Sequence, residues 1–73
     1  MTFQEHDVVV LTEDMPGVGL RQGDVGTVVH VHSLSAYEVE FTSATGDTIA
    51  LLPLLASQLR AAAATDVIAV RSA

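Results

Sequence analysis

Short apolar runs separated by turn residues predict a protein built from strands. His6–Thr12 is an apolar run with polar ends, and Val25–His32 is rich in β-branched residues, which favour a pleated surface. Tyr37–Thr42 alternates, so its aromatic residues lie on one face of a strand and its glutamates on the other. Thr48–Leu52 predicts a fourth strand that stops at Pro53, because proline cannot donate to a central ladder.

The connecting segments contain the usual residues of turns and short helices. Glu13–Asp24 holds three turn signals and predicts a long, ordered loop. Gly26 indicates a bulge or a sharp bend early in the second strand. Leu54–Leu59 fits a single helical turn that leads into a fifth, short strand near Leu59 and Arg60, and Asp66–Val70 predicts an added edge strand.

These elements predict an all-β fold, a small, partly open SH3-like barrel of about five strands with one short helical turn before the last strand. Tight turns at Ser33–Ala36 and Ala44–Asp47 would join the middle strands. A chain of 73 residues has room for one domain. The barrel would occupy about residues 3–60, with residues 61–73 as a tail or an added edge strand. A barrel of the OB type is the alternative, although it normally needs a longer chain.

The charge balance narrows the classes of partner. The chain has nine acidic residues, three arginines, no lysine and a formal net charge of −6. Such a surface repels phosphate backbones and anionic membranes and attracts cationic partners. A patch formed by Arg21, Arg60 and Arg71 would instead favour nucleic acid. The longest apolar run, Ile49–Ala56, is too short to span a bilayer, and no export signal is visible, so we expect a cytoplasmic protein.

The stretch GDVGTVV (Gly23–Val29) resembles the KOW motif of SH3-like barrels in ribosomal proteins and transcription elongation factors. The shared residues are Gly23, Gly26, Val28 and Val31, and they encode mostly a turn and a strand. The resemblance keeps a nucleic-acid-binding module open as an alternative function.

A larger part of the chain, roughly Phe3 to Leu59, is similar to a small bacterial family known as domain of unknown function 4926. The similar segments are DVVVLTED (Asp7–Asp14), the loop around Pro16, GLRQGDVGTVV (Gly19–Val29), YEVEF (Tyr37–Phe41) and LLASQL (Leu54–Leu59). This resemblance implies an SH3-like fold and no established activity. A remoter likeness is to the SH3-like region of the nitrile hydratase β subunit and its accessory proteins, which implies docking onto a larger protein.

The first loop is the candidate partner-binding surface. It combines apolar side chains with an acidic rim, a combination that selects a partner with an apolar anchor beside lysine or arginine. The candidate residues are Glu13, Asp14, Met15, Pro16, Val18, Leu20 and Asp24. The alternative is that Val18 and Leu20 tuck under the loop and complete the core.

A second candidate is a metal site on the polar face of the middle strands. If Val31 faces Val39 and Val29 faces Phe41, then His32 lies opposite Glu38 and His30 opposite Glu40. Two imidazoles and a carboxylate suit zinc or nickel. The alternative is a pair of exposed contacts without a ligand, which contribute little.

Catalysis is not expected. The acids Asp7, Glu13, Asp14 and Asp24 could suggest a carboxylate pair, but so small a core leaves little room for a cleft that would desolvate one. No cysteine is present, and no base is placed to activate a serine. We therefore expect a non-catalytic accessory or regulatory module without a cofactor that binds another protein with a basic surface. It would bind neither nucleic acid nor a membrane, and a homodimer is left open.

Overall fold

A computed structural model describes residues 2–67 and shows an all-β domain. Its strands are β1 (Val8–Leu11), β2 (Val25–Val31), β3 (Ala36–Thr42), β4 (Thr48–Leu55) and β5 (Leu59–Ala61). Two 3₁₀ turns, Pro16–Val18 and Ala56–Gln58, lie in the first loop and before β5. β1 is shorter than predicted, because His6 has a φ of 74°, which is incompatible with an extended strand.

The five strands form one antiparallel sheet in the order β4-β3-β2-β1-β5. The sheet is not closed, since β4 and β5 are its two edges. One core collects the buried side chains of all five strands, the first loop and the N-terminal segment. The buried core residues are Phe3, Val9, Leu11, Leu20, Val28, Tyr37, Val39, Phe41, Leu54 and Leu59. The predicted small, partly open barrel, with a helical turn before its last strand, is confirmed.

The fourth strand is longer than predicted, because Pro53 does not end it. β4 continues to Leu55 and pairs with β3 along its length, with Pro53 opposite Glu38. Proline is tolerated at sheet edges, where its missing N–H need not face a neighbouring strand. β4 is an edge strand, so the prediction failed because it assumed a central position for this strand.

The predicted register between β2 and β3 is wrong, since Val31 pairs with Tyr37 and not with Val39, and a bulge between Val28 and His30 shifts the register once more. Val28, not Val31, lies opposite Val39, and it is fully buried. Val29 is 40% exposed instead of facing Phe41 in the core. A bulge adds one residue to a strand and so reverses the faces of the residues that follow it.

The sequence indicates a bulge or a sharp bend at Gly26, and the structure has no bulge at this position. It lies in regular pairing, opposite Phe41 on β3 and Val9 on β1. A Cβ atom at this position would lie 2.7 Å from Cγ1 of Val39 and 2.9 Å from the ring of Phe41. Glycine therefore allows these two core side chains to pack against the β2 backbone.

After β5 the chain forms a short helix, α1 (Ala64–Val67). The predicted edge strand Asp66–Val70 is therefore wrong for Asp66 and Val67, and residues 68–70 lie outside the described residues. Among residues 2–67, no helix has the length and apolar character needed to cross a membrane.

Candidate functional site

The first loop is held in shape by backbone hydrogen bonds. Met15 and Leu20 form an isolated antiparallel bridge, with N–H to carbonyl distances of 2.9 and 3.1 Å. Between them lies the 3₁₀ turn Pro16–Val18, which ends at Gly19 in the left-handed region with a φ of 75°. Proline fits the first turn of such a segment and glycine its end. The loop thus presents a structured tip.

The acidic residues of the loop also have structural roles. Asp14 Oδ1 accepts a hydrogen bond from the backbone N–H of Gln22, and Asp24 Oδ2 accepts one from that of Arg21, both at 2.9 Å. Glu13 Oε2 accepts a longer bond of 3.4 Å from the side chain of Gln58. These carboxylates therefore shape the loop and still contribute negative charge to its rim.

Asp7, the fourth acid considered for a catalytic pair, lies at the start of β1. Its Oδ2 accepts a hydrogen bond from the backbone N–H of Gln4 at 2.9 Å. Each of the four acids thus has a different backbone or side-chain donor, and we find no pocket among residues 2–67.

The apolar residues of the loop divide between core and surface. Leu20 is only 1% exposed and belongs to the core, so it is not part of an open binding surface. Met15 is partly buried and packs against the same core. Val18 is 45% exposed, and Pro16 is exposed as well. The apolar surface that the loop offers is therefore the tip Pro16–Val18.

The histidines lie together on the solvent side of β2, although not in the predicted register. His30, not His32, is the cross-strand partner of Glu38, while Glu40 lies opposite Thr27. His32 still reaches Glu38, since its Nε2 lies 2.8 Å from Oε1 of that carboxylate. The predicted cross-strand positions are therefore wrong for both histidines, although the side chain of His32 does contact Glu38.

The four residues proposed as metal ligands do not converge. The rings of His30 and His32 meet edge to face, with centroids 4.9 Å apart. Glu40 instead accepts a hydrogen bond of 2.8 Å from the hydroxyl of Thr48. Within the described part of the chain, no group of three or more histidine or acidic side chains has an arrangement that could hold a metal ion.

A patch of Arg21, Arg60 and Arg71 would favour nucleic acid, and of these residues Arg60 is bonded to a carboxylate. Arg60 donates to both carboxylate oxygens of Asp66, at 2.8 and 2.9 Å, which joins β5 to α1. These hydrogen bonds, together with one from the N–H of Ala63, lower the pKa of Asp66 to about 2. The same contact raises the pKa of Arg60. Arg71 lies outside the described residues.

A further apolar surface, which the sequence analysis missed, lies on β4. Leu51 and Leu55 are 56% and 55% exposed, and Pro53 between them is exposed on the same side. The sequence prediction ended this strand at Pro53, so the alternation of Leu51, Pro53 and Leu55 on one side of the strand was not recognised. We call the solvent side of β2, β3 and β4 the outer face. It comprises Thr27, Val29, His30, Glu38, Glu40, Leu51, Pro53 and Leu55.

Comparisons with known proteins identify a family and no function. A search of curated proteins finds no match, and a search of solved structures finds none either. The likeness to SH3-like barrels therefore stays a prediction from sequence, although the strand arrangement fits a small, partly open barrel. The model of one family, described as a domain of unknown function, matches residues 5–61. Because this match covers most of the chain, the protein belongs to the DUF4926 family.

Proposed function

We propose that this domain is a non-catalytic, cytoplasmic protein-binding module, which docks a partner with a basic surface through the tip of its first loop. The observation that carries the proposal is the exposed tip Pro16–Val18 on a hydrogen-bonded loop. Val18 is 45% exposed there, whereas Leu20 of the same loop is buried in the core. A preorganised loop loses little conformational entropy on binding, which favours a recognition role.

The charge of the chain supports a basic partner. Glu13 and Asp14 lie beside the tip, in a protein with a formal net charge of −6. Rim charges of this kind steer encounter and raise the association rate, and salt weakens their effect. An apolar centre with an acidic rim would thus bind an apolar anchor next to lysine or arginine.

The test is affinity capture from extract of the organism that encodes the protein, followed by mass spectrometry. The variant is Val18→Ser with Glu13→Lys, which alters the tip and its rim but leaves the partly buried Met15 in place. The matched control is Leu34→Ser, an exposed aliphatic residue in the turn between β2 and β3. We expect the loop variant, and not the control, to lose the captured partner. Unchanged capture by a folded loop variant would refute the proposal.

Nucleic acid is the competing class of partner, and it can be tested directly. Each phosphate contact needs roughly one lysine or arginine, and the chain has three arginines, of which Arg60 is bonded to Asp66. We therefore expect no shift of RNA or DNA in a low-salt mobility assay at micromolar protein. A shift that weakens as salt rises would favour the nucleic-acid-binding alternative instead.

A further inference from the structure

The outer face brings carboxylates and apolar side chains into neighbouring register positions. One cross-strand row runs from Val8 through Thr27 and Glu40 to Leu51. The next row runs from His30 through Glu38 to Pro53. Residues that pair directly across strands have Cβ atoms about 4.5–5.5 Å apart. Each glutamate therefore lies beside an apolar residue of β4.

The apolar part of this face is a continuous strip on an edge strand. Leu51, Pro53 and Leu55 occupy alternate positions of β4, so their side chains point to the same side. The two leucines are more than half exposed. Single exposed aliphatic residues are ordinary, but three in a row on one strand form a patch of the kind that marks interaction sites.

The charge of the same face is negative and only partly compensated. Glu38 is in contact with His32, at 2.8 Å. Glu40 accepts a hydrogen bond from the neutral hydroxyl of Thr48. Within residues 2–67, no cation forms an ion pair with Glu40. A lysine or arginine from a partner would thus find a carboxylate at the border of an apolar strip.

These observations favour one class of occupant over the others. A second copy of this chain would bring Glu38 and Glu40 against their own counterparts, and like charges across an interface are costly. Nucleic acid and anionic lipid are repelled for the same reason. Extension of the sheet by a strand is also disfavoured, because Pro53 lacks an N–H in the middle of the β4 edge.

We propose that the outer face docks a protein segment in which a lysine or arginine is flanked by apolar residues. The cation binds Glu40, and the apolar neighbours cover Leu51 and Leu55. The proposal rests on the proposed protein-binding function and adds a second surface to it, distinct from the tip Pro16–Val18. The segment lies across the sheet face and does not add a strand to its edge.

The first test uses a defined peptide and the unmodified protein. The probe is an acetylated, amidated hexapeptide of alternating leucine and lysine. The two reference peptides carry glutamate in place of lysine, or serine in place of leucine. We expect only the leucine-lysine peptide to shift backbone amide NMR signals of residues 38–40 and of Leu51, Leu52, Leu54 and Leu55. Equal binding of a reference peptide, or no binding of the probe, would overturn the proposal.

The second test uses variants in which the substituted side chains are exposed or half-buried. Leu51→Ser with Glu40→Gln should weaken binding of the probe by about tenfold or more, as loss of an apolar anchor with its charge predicts. Glutamine can still accept the bond from Thr48, and amide dispersion verifies the fold. The matched control, Leu34→Ser with Glu5→Gln, alters an exposed leucine and an exposed glutamate that belong to neither surface, and it should leave the affinity unchanged.

The outcomes separate this inference from the proposed function. If the outer-face variant keeps the probe and a third variant, Val18→Ser with Glu13→Gln, loses it, the outer face is not the site and the loop is. That result overturns the inference and leaves a protein-binding loop in place. The capture experiment with the native partner tests the proposed function independently of either peptide result.

Discussion

Replacement of Gly26 by alanine is a sharp test of the packing described above. Gly26 lies in regular strand pairing between Val9 and Phe41. An added Cβ would lie 2.7 Å from Cγ1 of Val39 and 2.9 Å from Cδ1 and Cε1 of Phe41, well inside van der Waals contact. Both neighbours are fully buried, so neither has free space into which it can move. The new methyl group must therefore displace the core or the strand.

The expected magnitude follows from two opposing effects. Glycine to alanine stabilises a protein by about 0.4–1 kcal/mol where the native backbone accepts it, because the unfolded chain loses entropy. Overpacking of a filled core costs about 1–3 kcal/mol. The steric effect dominates here, and we expect a net loss of about 1–2 kcal/mol. A core of this size rarely supplies more than about 3–5 kcal/mol, so the loss is a large part of the total.

Thermal and urea unfolding, followed by circular dichroism, measure this loss. A domain of this length loses about 4–8 °C in Tm for each kcal/mol, so we expect a fall of roughly 5–15 °C. Gly17→Ala is the matched control, because a Cβ there meets no atom within 4 Å. If Gly26→Ala is as stable as Gly17→Ala, the close approach of the core to Gly26 is wrong.

A double-mutant cycle connects the loss to its cause. Val39→Ala removes the atom closest to the added Cβ, at the cost of a cavity. The loss in the variant that carries both Gly26→Ala and Val39→Ala should therefore be smaller than the sum of the two single losses. Strict additivity would show that the cost of the methyl group arises elsewhere.

Three further predictions concern other parts of the fold. Tyr37→Phe should destabilise the protein by about 1–3 kcal/mol in urea unfolding, because the buried hydroxyl accepts from the N–H of Phe3 at 3.1 Å and its removal leaves that donor without this acceptor; a neutral effect would contradict this contact. The lowered pKa of Asp66 means that its bond to Arg60 stabilises the native state above the ordinary pKa of 3.8 and is lost as pH falls towards about 2. NMR titration of the Asp66 carboxyl should give this value and Arg60→Gln should raise it, whereas a value near 3.8 would contradict the ion pair. Pro53→Val restores an N–H to the β4 edge and should increase self-association in sedimentation velocity, and an unchanged sedimentation profile would show that Pro53 does not protect this edge.

The sequence predicted the elements of this fold well, because local patterns determine them. Tyr37, Val39 and Phe41 alternate with acidic residues, and all three are fully buried, as a period of two requires. The helical turn before β5 was also predicted, and it spans Ala56–Gln58 within the segment proposed for it. These features depend on neighbours in sequence, so they can be inferred without the partner strands.

Register and strand position could not be predicted in the same way, because they depend on partners distant in sequence. Val28 and Val29 have the same side chain, and nothing local indicates a bulge between Val28 and His30. The consequence for the candidate site was direct, since the observed register places His30 opposite Glu38 and not opposite Glu40. Proline is likewise excluded from a central strand but tolerated in an edge strand. The sequence alone does not show which kind of strand contains Pro53, because it does not give the strand order.

The residues shared with the KOW motif all serve the fold in this chain. Gly23 takes a φ of 93° in the turn before β2, and its N–H donates to the carbonyl of Leu11 at 2.9 Å. Gly26 accommodates two core side chains, and Val28 and Val31 pack into the core. Because each of these motif residues has a structural role, the motif gives no information about a ligand. Under the proposed protein-binding function, selection of a partner must therefore come from exposed residues outside the motif. Within residues 2–67, the tip Pro16–Val18 and the outer face display apolar side chains beside acidic ones.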